Sequence, residues 1–293
     1  MKKIVKIFNN LISETIFKVQ NKTNINFKIS NFNKYLIAFI SLLFFYLFYL
    51  SIPVLYDKIW VQSYIENKLT KEFRINLSTS SDISYRILPA PHFLIKDSKI
   101  LINSAKKPKS IAEIKNLKIF ISQSDFLNKK KIDVKKIIIN DANFILLAND
   151  FKLINEYRNN HFSRKKIIIN KSNIFFKNQL DEVIAITKIK KANFFFDKEK
   201  LLNIFKLNGE VFNIPFILDL KDQINSTENK KTNIDVNSLK LNIFNESTKE
   251  NDSSISGKNM ILFLSSSVNT KYTINNGRII FESLGSKIKN TKL

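Results

Sequence analysis

The sequence predicts a mainly β protein carried on one N-terminal transmembrane helix. Three observations predict it: an uncharged run of 22 residues from Tyr35 to Tyr56, one amphipathic helical stripe directly after it, and an apolar period of two from Ile75 onward. With 44% hydrophobic and 12% aromatic residues, the 293-residue chain is too apolar to stay disordered.

The run "YLIAFISLLFFYLFYLSIPVLY" comes first. A helix needs about 20 apolar residues to cross hydrocarbon, and tyrosines at both ends suit the interfacial belts. Residues 1–34 hold seven lysines (Lys2, Lys3, Lys6, Lys18, Lys22, Lys28 and Lys34) against one acid, Glu14. The positive-inside rule makes residues 1–34 a cytoplasmic basic tail, residues 35–56 the anchor, and the remaining 237 residues exported. A cleaved signal peptide is the rival reading. The run is long for such a peptide's apolar region and no A-x-A-like site follows it, so it is read as a permanent anchor.

In "DKIWVQSYIENKLTKEF" the residues Val61, Ile65, Leu69 and Phe73 recur every four positions, with Trp60 and Tyr64 beside them. That is one apolar stripe on a helix at the membrane-proximal end, expected to cover the end of a sheet.

From Ile75 to Gly285 the alternation is that of strands. Phe212, Ile214, Phe216, Leu218 and Leu220 share one parity in "EVFNIPFILDLKD", as do Leu117, Ile119 and Ile121. Leu239, Leu241 and Ile243 repeat the pattern, and Asn276-Gly277 supplies a type I′ turn in "TKYTINNGRIIFES". In "SDISYRILPAPHFLIKDSKI" the pair Pro89 and Pro91 marks a corner, because proline donates nothing to a ladder. Phe93, Ile95 and Ile100 follow as strand residues. "KKIIINDANFILL" at Lys135 recurs as "KKIIINKSNIFFK" at Lys165, an offset of 30, each copy reading as a strand bent in the middle. Between the copies, "NDFKLINEYRNNHFSR" reads as a helical or irregular crossing. "KDQINSTENKKTN" and "NESTKENDSSISGKN" read as long surface loops, and residues 286–293 as a frayed polar tail.

The net charge of +23 invites a nucleic-acid partner, but the lysines are scattered among asparagines and isoleucines without interleaved aromatics, so none is expected. Anionic lipid headgroups are the alternative partner for that charge. The chain contains no cysteine and only two histidines, His92 and His161, which excludes disulfides and makes a poor metal set. Four glycines form no phosphate loop, and the S-x-x-K matches at Ser104 and Ser163 lack companion motifs. No enzyme activity, cofactor or metal is expected.

In chain order these features resemble the AsmA family of inner-membrane-anchored proteins of Gram-negative bacteria. The resemblance begins with the membrane helix and "VQSYIENKLTKEF", continues through the corner in "RINLSTSSDISYRILPAPHFLIKDSKILI", and takes in "AEIKNLKIFIS" and the two repeat copies, from roughly Leu36 to Asp222. It implies a curved antiparallel sheet forming an open apolar groove, phospholipid as partner, and a role in phospholipid transfer or outer-membrane biogenesis and maintenance. No catalytic residue comes with it. The residues expected to line the groove are Phe93, Ile95, Leu117, Ile119, Ile121, Phe212, Ile214, Phe216, Leu218 and Leu220.

Simple chemistry suits such a groove. At about 0.8 kcal/mol per buried methylene, a diacyl chain of roughly 30 methylenes faces on the order of 20 kcal/mol in crossing water unaided. Roughly 14 strands about 4.8 Å apart give a sheet of about 65 Å, short of an envelope, so another envelope protein or a second copy is expected to complete a conduit. The rival reading is an anchored interaction scaffold for outer-membrane protein assembly, secretion or division, in which a closed sandwich consumes the same alternating faces.

Overall fold

The structure is a computed structural model that describes residues 10–15, 17–18, 31–73, 75–80, 82–103, 108–124, 126–127, 132–147, 150, 160–223, 229–251, 254–275 and 278–288. The chain divides into two units, Met1–Ile52 and Pro53–Leu293.

The first unit is the apolar helix α1 (Asn31–Ser51). With the 3₁₀ turn Ile52–Leu55 it gives 25 residues, whose most apolar 18-residue stretch has mean hydropathy 2.2, long and apolar enough to span a membrane. Phe32, Phe39, Phe44, Phe45 and Phe48 point outward around the helix, as in a span bathed by lipid. The basic tail expected before it lies mostly outside the described residues.

The second unit begins with α2 (Lys58–Lys68), whose N-cap Asp57 accepts a 2.7 Å hydrogen bond from the Trp60 amide. Val61, Ile65, Leu69 and Phe73 are all buried, so the stripe spaced by fours is the packed face of the helix. Strict spacing of four drifts by about 40° per turn on a 3.6-residue helix. The wider π turn Leu69–Phe73 takes back that drift and keeps Phe73 in line.

Among the described residues, the strands after α2 form one open sheet of fourteen. Its first half is β1 (Asn76–Ser78), β2 (Ile83–Arg86), β3 (His92–Asn103), β4 (Pro108–Ile121), β5 (Val134–Leu147), β6 (Lys166–Lys177) and β7 (Val183–Asp197). The second is β8 (Leu202–Val211), β9 (Ile214–Gln223), β10 (Asn229–Val236), β11 (Leu241–Asn251), β12 (Ser254–Phe263), β13 (Ser266–Asn275) and β14 (Arg278–Ile288). Strands pair in chain order, except that β1 and β2 both lie against β3. The Pro89–Pro91 corner is the turn from β2 into β3.

The sheet is mixed rather than wholly antiparallel, and the exception is the repeat. β5 and β6 pair in parallel with each residue opposite its counterpart thirty places on, from Lys136 beside Lys166 to Leu147 beside Lys177. Two copies running the same way require a crossover. Residues 151–159 of that crossing lie outside the described residues. In-register asparagines bond across the pair, Asn170 to Asn140 at 3.0 Å and Asn173 to Asn143 at 3.1 Å.

Both copies are bent in the middle, and the bend belongs to a crease across the sheet. Asp97, Asp141 and Lys171 have positive φ at neighbouring positions on β3, β5 and β6, and the register shift at Lys190 ends the line. Each irregularity adds one residue, so the apolar parity changes there while the buried face does not. Leu117 gives way to Ile114 on β4, and Ile139 to Ala142 on β5, all four buried.

Two expected loops are strand wherever they are described, residues 224–228 and 252–253 lying outside the described residues. "KDQINSTENKKTN" contributes to β9 and β10, and "NESTKENDSSISGKN" to β11 and β12. Several of their polar side chains pair across the ladder, Lys231 with Glu246 at 2.9 Å and Asn245 with Asn259 at 2.6 Å, so polarity did not signal a loop there. β14 likewise runs to Ile288, three residues past the expected domain end. The turn residues Asn276 and Gly277 are outside the described set, but the arms they join pair from Asn275 and Arg278 outward.

Candidate functional site

Directly paired residues project from the same face of a sheet, so the register traces a surface. One row runs Ile83, Ile95, Leu117, Ile139, Ile169, Ala192, Leu207, Leu218, Ile234, Ile243, Ile261, Val268. Twelve strands contribute to it and no polar residue interrupts it.

That face is concave. Ile75 and Asn76, at the start of β1, and Leu207 on β8 line one open cavity of about 350 Å³. Six strand intervals separate β1 from β8, about 29 Å if the sheet were flat. The cavity walls are Ile139, Phe144, Ile169, Ile174, Ile189, Phe194 and Phe205, with Asp150 at the edge. Asp150 is held by Lys109, whose Nζ donates at 2.8 and 3.1 Å, and by the Leu147 amide at 2.8 Å. Among the described residues no second sheet covers this face, so the closed sandwich of the rival reading does not form.

The opposite face is finished differently. Lys136 sits over the Phe120 ring at 4.4 Å and Lys166 over Phe195 at 4.8 Å, covering the aromatic surface with charge. Ion pairs Lys99–Glu113, Lys188–Glu210 and Lys231–Glu246 distribute much of the remaining charge across the sheet. The hydrogen bond from Lys188 holds the Glu210 carboxyl below the usual carboxylate range.

The ten residues expected to line the groove divide into three groups. Phe93, Ile95, Leu117, Ile119 and Ile121 sit on the concave face at the α2 end and are buried, Ile95 and Ile119 at 0% exposure. Packed that completely, they support the trough and are closed to a guest. Phe93 shares a second cavity of about 240 Å³ with Val61 of α2 and with Tyr56, Lys58 and Tyr85, where burial pushes the Tyr85 phenol well up.

Ile214, Phe216, Leu218 and Leu220 lie half-buried on β9, facing the same way as Leu207 and Phe205. Phe212 does not join them. It occupies the β8–β9 turn with φ of 49°, beside Asn213 at 63°, and is 72% exposed.

The cavity itself runs from β1 to β8, and none of the ten lines it. The apolar positions of the repeat and the phenylalanines of "NFFFD" and "NIFKL" carried that information in the sequence. Pro89 and Pro91 are at the corner as expected, and His92 begins β3, its ring stacked on Phe120 at 4.8 Å.

Past β9 the concave face changes character. Thr232, Asn245, Asn259 and Thr270 form the row beside Ile234, Ile243, Ile261 and Val268. Asn245 donates to Asn259 at 2.6 Å and to the Tyr272 hydroxyl at 2.9 Å. Tyr272 lies so close over Gly257 that an added Cβ would overlap its ring. Apolar side chains return toward the far strand ends, with Ile255, Ile274 and Ile279, and with Phe281 beside Tyr272.

No family model matches the chain, and no curated protein matches it.

Proposed function

We propose that this chain is a membrane-anchored lipid-handling protein of the AsmA type. Its N-terminus is cytoplasmic, its β unit lies in the periplasm, and it contributes to phospholipid transfer from the inner membrane or to outer-membrane biogenesis and maintenance. The observation that carries the proposal is the open apolar cavity of about 350 Å³ on a concave face with no covering layer among the described residues. Large uncovered apolar surface is rare in soluble domains and marks a binding surface. Each acyl methylene sheltered there removes a cost of about 0.8 kcal/mol.

The thirteen strands along the path span about 58 Å, so a second copy or another envelope protein completes any longer conduit. The test is lipid retention by the full chain purified in mild detergent. Phospholipid should co-purify in excess of that on a Phe144→Glu/Ile174→Glu variant, both positions being half-exposed in the trough. Equal lipid on the two proteins refutes the proposal.

A further inference from the structure

The concave face narrows. On β9 four successive same-face positions, Ile214, Phe216, Leu218 and Leu220, are apolar, about 20 Å of strand. On β11 only Leu241 and Ile243 are, about 7 Å, before Asn245 and Ser247 follow on the same face. β12 repeats the division in reverse order, with Phe263 and Ile261 apolar and Asn259 and Gly257 next.

We propose that the β10–β13 part of the trough holds an amphiphile in one fixed orientation, hydrocarbon along Ile234, Ile243, Ile261 and Val268, and its ester and headgroup region along the bank of Asn245, Asn259 and Tyr272. This rests on the lipid-groove reading above and adds to it the guest's orientation, polar end on the bank and hydrocarbon on the strip. The bank is built for that contact. Asn245 fixes Asn259 and Tyr272 in one network, and the tyrosine hydroxyl, accepting from Asn245, keeps its own proton to donate. The buried Tyr272 and the half-buried amides of Asn245 and Asn259, bordering an apolar strip, penalise a guest that leaves them unpaired. A hydrocarbon tail laid over the bank does so; an ester or phosphate oxygen does not.

The absence of cysteine makes the test clean, because each introduced cysteine is a unique labelling site. Ile261→Cys and Ser247→Cys stand about 13 Å apart across the strip and the bank. Each is labelled with bimane in the full chain reconstituted into phosphatidylcholine vesicles. Vesicles contain either acyl-chain doxyl lipid or lipid with a nitroxide on the choline. Acyl nitroxide should quench the Ile261 label at least threefold more than the Ser247 label, and the headgroup nitroxide should reverse that order. The same order with both lipids, or equal quenching at both sites, overturns the orientation. A Phe205→Cys label reports on the wide part of the trough. Quenching there with none at 261 or 247 sinks this proposal alone, whereas no quenching at any of the three sinks the lipid-groove reading itself.

Discussion

Phe216 on β9 lies directly opposite Gly209 on β8, its ring occupying the space a side chain would take: a Cβ on Gly209 would stand 3.2 Å from Phe216 Cζ and 2.9 Å from the Lys188 carbonyl oxygen. The ring can move and the backbone carbonyl cannot. Gly209→Ala should therefore destabilise the β unit by about 1–3 kcal/mol. Adding Phe216→Ala should leave most of that loss in place, and a double-mutant cycle in urea measures it.

The buried end and the open trough should respond differently to truncation. Ile95→Ala removes a fully enclosed side chain and should cost about 2–5 kcal/mol. Leu218→Ala, on the same row but half-exposed, should cost less than half as much while lowering retained lipid. Paired denaturation and lipid-extraction measurements on the two variants separate support from lining.

This division was only partly legible in the sequence. Alternation identifies the strands, and the stripe from Val61 to Phe73 identifies α2, because both are local periodicities. Which side chains end up enclosed depends on curvature, and curvature comes from a crease spread over five strands that no single segment displays. Phe212 is instructive. In a two-residue turn Val211 and Ile214 face the same way, so parity counted through the turn assigns Phe212 to a face it never reaches. The repeat was legible as a repeat, but its parallel pairing follows from a crossing that composition does not reveal.

Stability should fall on mild acidification because of His92. The ring is buried, which is the main reason its pKa lies below the ordinary value, with Lys118 and Arg86 adding repulsion and the 2.7 Å bond to the Ala90 carbonyl opposing them. The unfolded chain then binds the proton more readily than the folded one. The contribution is complete above the unfolded pKa of about 6.5 and is lost as pH falls through and below it. Urea midpoints at pH 7.5 and 5.5 should differ more for the parent than for His92→Gln.

The seat of α2 depends on Glu66, whose Oε1 accepts from the Thr79 amide at 2.9 Å and the Thr79 hydroxyl at 2.7 Å. Glu66→Ala leaves that amide without this partner and should cost about 1–3 kcal/mol, with faster hydrogen exchange at Thr79 as its local signature.

The most direct test sets two adjacent residues against each other. Phe216 faces the trough, and Ile217, 46% exposed, faces the opposite side of the same strand. A photoreactive phenylalanine analogue at each position, irradiated in cells and read by mass spectrometry, should yield phospholipid adducts at 216 and none above background at 217. Equal adducts at both positions, or none at 216, would contradict an apolar trough that carries lipid.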